Sequence, residues 1–212
     1  MTYTILGDGP TDQVLYVFIE ELLRRHGYEA AFVPVDLRKA PSTNTFAERI
    51  EMALRLTGCQ LIFIHRDAEN QSVGQRIEEI KAAWHAYRTQ TGTAASLSYV
   101  PIIPIRMTEA WLLIDPKAIR AAAGFPNSKE PIDLPKPGKL ELLPNPKQTL
   151  RNAVIKLLPK GRRRRNYRPS RVAYDVAQAI TDFSALRQLS AYQKFEADLL
   201  TTLDLQATPP SS

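Results

Sequence analysis

Apolar positions alternate along the chain between short continuous runs and stretches in which they recur every three or four residues. Residues 3–6 form a β-prone run that stops at Gly7-Asp8-Gly9-Pro10, a strand followed by a tight turn. Thr11 or Asp12 is then placed to N-cap a helix carrying Val14, Leu15, Phe18, Ile19, Leu22 and Leu23 on one face. Residues 30–35 read as a second strand and 36–44 as a loop. Phe46, Ile50, Ala53, Leu54 and Leu56 mark a second helix closed by Gly58. Leu61-Ile62-Phe63-Ile64 has no polar interruption, as a strand covered on both faces requires. A third helix spans 73–89 with Ile77, Ile80, Trp84 and Tyr87 together, and 99–105 reads as a fourth strand. Pro101 and Pro104 place that strand at an edge, because proline cannot donate to the ladder. Helical signals resume at Thr108 and run past Pro116 to Ala123, where Gly124 closes them. Strands alternating with helices predict parallel βαβ units, hence an α/β fold with a mostly parallel central sheet and helices on both faces. Further on, 125–146 reads as a long loop, 146–158 as a short basic helix, 159–170 as a basic linker and 172–203 as a pair of helices. A disordered Pro-Pro-Ser-Ser tail follows, and there is no internal repeat.

With 212 residues, 44% hydrophobic and 24% charged, the composition is that of an ordinary globular protein with one core and a small appendage. A chain of this length buries roughly 70% of its unfolded surface, so it needs no metal or disulfide for stability, and any metal would be functional. Cys59 is the one cysteine, which excludes intrachain disulfides and cysteine-built clusters and makes a reducing, cytoplasmic location the expectation. Asp8 and Asp12 near the start, and Glu20 and Glu21 inside the most apolar stretch, argue against a signal peptide or membrane span. The net charge of +6 is unevenly spread. Residues 142–174 hold ten basic side chains and no acidic one, leaving 18 basic against 22 acidic elsewhere. One block makes the chain basic, which points to a polyanionic partner and no membrane. A solubilising loop, or packing against acidic helices such as those with Glu48 and Glu51 or Glu78 and Glu79, is the plainer explanation of the same block.

In an open α/β sheet, ligands bind beyond the carboxyl ends of the strands. Asp8 follows the first strand there, and Asp67 with Glu69 follows the third. In an extended segment a D-x-E step points both carboxylates the same way, and converging carboxylates without thiols suit Mg²⁺. Each acid also has a structural explanation: Asp8-Gly9 is a turn dipeptide, while Asp12 and Asp67 are capping types. Clustering like charges at two strand ends brings no structural gain, which favours the site. His65 ends a buried strand and reads as packed, although it and Arg66 are near enough to reach a phosphate. Glu109 at a helix start complements the dipole, and Trp111 reads as core. Walker A, G-x-G-x-x-G and G-x-S-x-G sequences are absent, and the three histidines have no metal-binding spacing.

The run strand, Gly7-Asp8-Gly9-Pro10-Thr11-Asp12, helix, strand, helix, Leu61-Ile62-Phe63-Ile64-His65-Arg66-Asp67-Ala68-Glu69 resembles the Toprim fold of topoisomerases, primases and OLD-type nucleases. With Glu109-Ala110-Trp111-Leu112-Leu113 it resembles more closely the Toprim-like family DUF4276, over roughly residues 1–125. The resemblance implies neighbouring first and third strands, an acid/base carboxylate at Asp8, and Mg²⁺, or Mn²⁺ in its place, held by Asp67 and Glu69 with Asp8. Two departures stand: the Toprim acid is usually glutamate where Asp8 stands, and the usual D-x-D ends here in Glu69. Both keep the carboxylate and change its reach. The expectation is a magnesium-dependent phosphodiester hydrolase on DNA or RNA, of the kind found in bacterial defence with a partner ATPase or another defence protein. The alternative is a catalytically silent module on a Toprim scaffold, binding nucleic acid or protein. Arg162, Arg163, Arg164, Arg165 and Arg168 would follow a phosphate backbone, with Tyr167 as a stacking residue. The expected division is a core at 1–125, a basic loop and helical extension at 126–204 and a disordered tail at 205–212.

Overall fold

The computed structural model describes residues 1–7, 9–37, 44–92, 97–159 and 168–207. Four strands form one sheet: β1 (Thr2–Leu6), β2 (Ala31–Phe32), β3 (Leu61–His65) and β4 (Ser98–Ile102), ordered β2-β1-β3-β4 with all neighbours parallel. The fold is therefore α/β and Rossmann-like. Strand β1 steps to β2 on one side, and the chain then crosses to place β3 on the other. The order thus reverses between β1 and β3, the adjacency the motifs implied.

Three helices accompany the sheet: α1 (Leu15–Arg25), α2 (Phe46–Thr57) and α3 (Val73–Thr91). Their ends follow local chemistry. Thr45 and Glu48 exchange hydrogen bonds at the start of α2, Ser72 and Gln75 do the same for α3, and Gly58 at φ +64° ends α2 in a left-handed turn that favours glycine. Leu6, Ile62 and Ile64 pack with Ile50, Leu54, Ile80, Trp84 and Tyr87 in one apolar cluster over that face. On the opposite face Phe63 meets Tyr3 edge-on at 5.2 Å and Phe195 at 6.0 Å. Both faces of β3 are thus covered, which is why it carries no polar residue before His65.

Several boundaries differ from the sequence reading. The first helix is not capped by Thr11 or Asp12: a 3-10 turn (Pro10–Val14) comes first, with Gly9 at its cap position and Pro10 fixing its start, and α1 proper begins at Leu15. The second strand shrinks to two residues, and the fourth ends at Ile102 because Pro104 lies beyond it. Strand β4 is at the edge as expected. Ser98 donates to Gln60 and Ile102 accepts from Arg66, so these turn towards β3 and Pro101, one residue out of phase with them, faces away from it.

The chain divides into two compact units, Met1–Ile103 with Lys194–Ser212, and Pro104–Gln193. This division follows contacts, whereas the boundaries at 125 and 204 follow motifs and composition. The second unit holds α4 (Glu109–Leu112), α5 (Pro116–Ala122), a 3-10 turn (Pro137–Leu142), α6 (Pro146–Leu157) and α7 (Pro169–Ala179). It also holds a 3-10 turn (Ser184–Gln188) and the first turn of α8 (Ser190–Ala207). The helix read across Pro116 is broken in two, because the proline ring excludes the preceding turn and Asp115 recaps the chain through Lys117 N–H at 2.8 Å. Glu141 accepts from the backbone of Ser190 and Ala191, each at 2.9 Å, and so caps α8 from a distant segment. Trp111 is core, edge-on to Tyr192 at 5.4 Å. The Pro-Pro-Ser-Ser tail lies outside the described residues.

Candidate active site

Where β1 and β3 end side by side, the chain leaves the sheet twice and encloses a cleft of about 440 Å³. Gly9, Asp12, His65, Arg66, Asp67, Glu69 and Arg76 line it. This is the switch point of the sheet, where parallel α/β folds place their ligands.

The turn after β1 brings Asp12 back over the strand end. Its Oδ2 accepts from Gly9 N–H at 2.9 Å, and a Cβ at Gly7 would stand 2.6 Å from the Asp12 Cβ, so only glycine leaves room. Arg49 of α2 donates to the Gly7 carbonyl at 2.7 Å and fixes the same turn from outside. The Asp12 carboxylate then lies 3.2 Å from His65 Nδ1, while Asp67 Oδ1 lies 3.1 Å from Nε2 on the other side of the ring. His65 is buried between two carboxylates. Burial alone would push its pKa down, but the hydrogen bonds and charges of Asp12 and Asp67 outweigh it and raise the pKa to about 9. The ring is therefore an imidazolium at neutral pH. It does not reach a phosphate, because only 1% of its side chain is exposed.

Beyond His65 the chain does not stay extended, so the argument that a D-x-E step aims both carboxylates alike does not hold. Arg76 Nε donates to the Asp67 carbonyl at 2.9 Å, Gln71 N–H closes a turn on Ala68 at 2.8 Å, and Glu69 adopts φ +51°. Asp67 reaches back to His65, and Glu69 lies 3.6 Å from Arg76. Both still line the cleft. Nor does Asp67 cap the next helix, a role taken by Ser72. Arg66 donates to Glu79 at 2.7 Å and sits 5.5 Å over the Phe46 ring, and Arg76 donates to the same carboxylate at 2.9 Å. Two guanidinium groups are thereby held on the cleft wall. In the sequence Arg76 looks like an ordinary charge on an amphipathic helix, and Glu79 reads with Glu78 as part of an acidic helix face rather than as an anchor for the cleft. The one available signal was their spacing of three on the helix that follows the acidic step.

The remaining candidates fall elsewhere. Asp8 and Arg162 to Arg165 lie outside the described residues. Arg168 is exposed at the N-cap of α7, and Glu109 opens α4 in the second unit. Among the described residues no group of three His, Cys, Asp or Glu side chains is arranged to hold a metal. Magnesium commonly binds through one or two carboxylates and completes its shell with water and substrate phosphate; Asp67 and Glu69 both line the cleft and offer only oxygen donors, which suits that mode rather than a protein-built cage, although each now faces a cationic side chain.

A parallel α/β sheet with an acidic and guanidinium-lined cleft at its switch point defines a Rossmann-like protein with a polar, charged cleft. The chain belongs to the family described as Domain of unknown function (DUF4276), which matches residues 9–200, from just after β1 through β2, β3, β4 and the basic stretch. No curated protein and no solved structure matches it.

Proposed function

We propose that the chain is a magnesium-dependent phosphodiester hydrolase acting on nucleic acid. What supports this is the meeting of Asp12, Asp67, Glu69, Arg66 and Arg76 around one cleft at the switch point between β1 and β3. Asp67 and Glu69 would hold Mg²⁺, or Mn²⁺, which when bound supplies charge neutralisation at the attacked phosphate and a more acidic water. Arg66 and Arg76 offer guanidinium donors to non-bridging phosphate oxygens, and Glu79 and Phe46 keep them in place. His65 holds Asp12 and Asp67 a ring's width apart and, carrying its own proton at neutral pH, acts as a positioning residue rather than a base. Asp8 would complete the metal site or activate water, and Arg162 to Arg165 with Arg168 would bind the backbone of the substrate. By the resemblance to Toprim-like nucleases, the proposal extends to bacterial defence in the cytoplasm beside a partner ATPase. Among the described residues no helix is long and apolar enough to cross a membrane.

One observation favours a second reading, a binding module without turnover: the imidazolium already compensates two of the carboxylates, and no three-ligand group is present among the described residues. The two readings separate in one experiment. Labelled DNA and RNA are incubated with the protein in Mg²⁺, Mn²⁺ or EDTA, beside Asp67→Asn. Cleavage that needs the divalent ion and vanishes in Asp67→Asn, with nucleic-acid affinity equal or higher, is expected. Binding without cleavage under every condition would leave the module.

A further inference from the structure

Among the described residues, the long helices other than α6 carry both signs of charge. Glu21 meets Arg24 on α1, Glu78 meets Lys81 on α3, Arg171 meets Asp175 on α7, and Lys194 meets Asp198 on α8. Helix α2 carries Glu48, Arg49, Glu51 and Arg55, mixed in sign. Helix α6 has Lys147, Arg151 and Lys156 and no acid at all. Its apolar side, Leu150, Ala153, Val154 and Leu157, is buried, so the basic residues share the outer side with Gln148 and Asn152, all five exposed. Lys156 lies 3.8 Å from Glu130; Lys147 and Arg151 have no ion pair among the described residues. Lys147 also stands in the first turn, where the helix dipole disfavours a cation. A solvated helix would intersperse the signs, as the others do; Lys156 is accounted for by Glu130 and by its place in the last turn, whereas Lys147 and Arg151 have no such account among the described residues.

We infer that the outer face of α6 binds double-helical DNA by lying in its major groove, with Lys147 and Arg151 on phosphates and Gln148 and Asn152 towards the bases. Charge complementarity selects a polyanion, since three cations recur every 6 to 8 Å or so along a helix rising about 1.5 Å per residue. The two amides select nucleic acid over other polyanions: glutamine and asparagine pair with adenine edges, and Gln148 Nε2 already donates to Asn152 Oδ1 at 2.7 Å, which aligns them on one line. The width of the groove selects DNA over RNA, because an α-helix enters the roughly 12 Å major groove of B-form DNA but not the deep, narrow one of A-form RNA. The inference rests on the nucleic-acid part of the proposed function, and gives it a surface and a duplex.

The test uses the full chain in EDTA, so that no cleavage occurs and the hydrolase reading is not under trial. Fluorescence anisotropy follows binding to a mixed-sequence DNA duplex, an RNA duplex of the same sequence, single-stranded DNA and poly-glutamate, each across a salt series. Lys147→Ala/Arg151→Ala should make log K less steep against log salt by about 0.9 for each phosphate left without its cation, so that the wild-type advantage shrinks about twelvefold between 50 and 200 mM salt. Lys147→Arg/Arg151→Lys should restore the slope. Gln148→Ala/Asn152→Ala should leave the slope and, on a pair of duplexes rich in A·T or in G·C, reduce the difference in affinity between them. Circular dichroism melting confirms that each variant folds. An unchanged slope in the alanine pair, or equal or tighter binding to RNA, single strands or poly-glutamate, would overturn the inference. Failure of cleavage in Mg²⁺ with these slopes intact would count against the hydrolase alone.

Discussion

His65 should make the stability of this protein fall in alkaline solution. Its pKa rises from 6.5 to about 9 on folding, so the folded state binds the proton more tightly than the unfolded chain. The stabilisation is complete below pH 6.5 and is lost as pH rises through 9. At about 1.4 kcal/mol per tenfold in proton affinity, the whole effect is about 3 kcal/mol. That is a large fraction of the roughly 5–15 kcal/mol that holds a domain together. Burial of the ring makes this magnitude reasonable, since water hardly screens a side chain that is 1% exposed. Lysine and tyrosine titrations overlap the same window, so wild type must be compared with His65→Gln, which fills similar space without a charge. Urea unfolding in EDTA at pH 6, 8 and 10 gives the free energies. The cost of His65→Gln should be largest at pH 6 and smaller by about 3 kcal/mol at pH 10. A cost independent of pH would refute the imidazolium between Asp12 and Asp67, whatever the function of the cleft.

Other outcomes follow from single interactions. Gly7→Ala should destabilise by about 1–3 kcal/mol, seen as a lower urea midpoint, because its Cβ overlaps Asp12 and the turn must shift. Glu141→Ala should cost about 1–2 kcal/mol in the same assay by uncapping α8. Replacing Arg162 to Arg165 with alanine should reduce the salt slope of DNA binding by about 0.9 for each phosphate no longer neutralised, with little change in melting temperature; an unchanged slope would make the run a solvated loop.

The order of strands and helices was legible because apolar spacing reports burial, and burial is what the sheet imposes. Leu61 to Ile64 announced a strand covered twice, and Pro101 announced an edge. The place of the candidate cleft was legible for the same reason, since Asp67 and Glu69 follow β3 where the strand order reverses, while Asp8 lies outside the described residues. The wiring of the cleft was not. A period-two argument presumes extended backbone, and nothing local to Asp67-Ala68-Glu69 shows that Arg76, nine residues after Asp67, binds the Asp67 carbonyl and turns the chain. Likewise His65 read as packed, which it is, but its two carboxylate partners come from segments 53 residues before and two after it, and only the first requires the fold. The break at Pro116 was readable from the proline and its preceding aspartate, and the apolar rhythm on either side masked it.

Pro101 turns its ring away from β3 at one end of the sheet, and the other end, β2, is two residues long. Growth of the sheet is thus stopped on both sides, by a missing N–H at one and by lack of length at the other. Two copies of the chain have no continuous ladder to share, so crowding them should not fuse their sheets into a common one. Among the described residues, then, the native sheet offers a second copy little to extend, and its helices and loops are the surfaces left for contact.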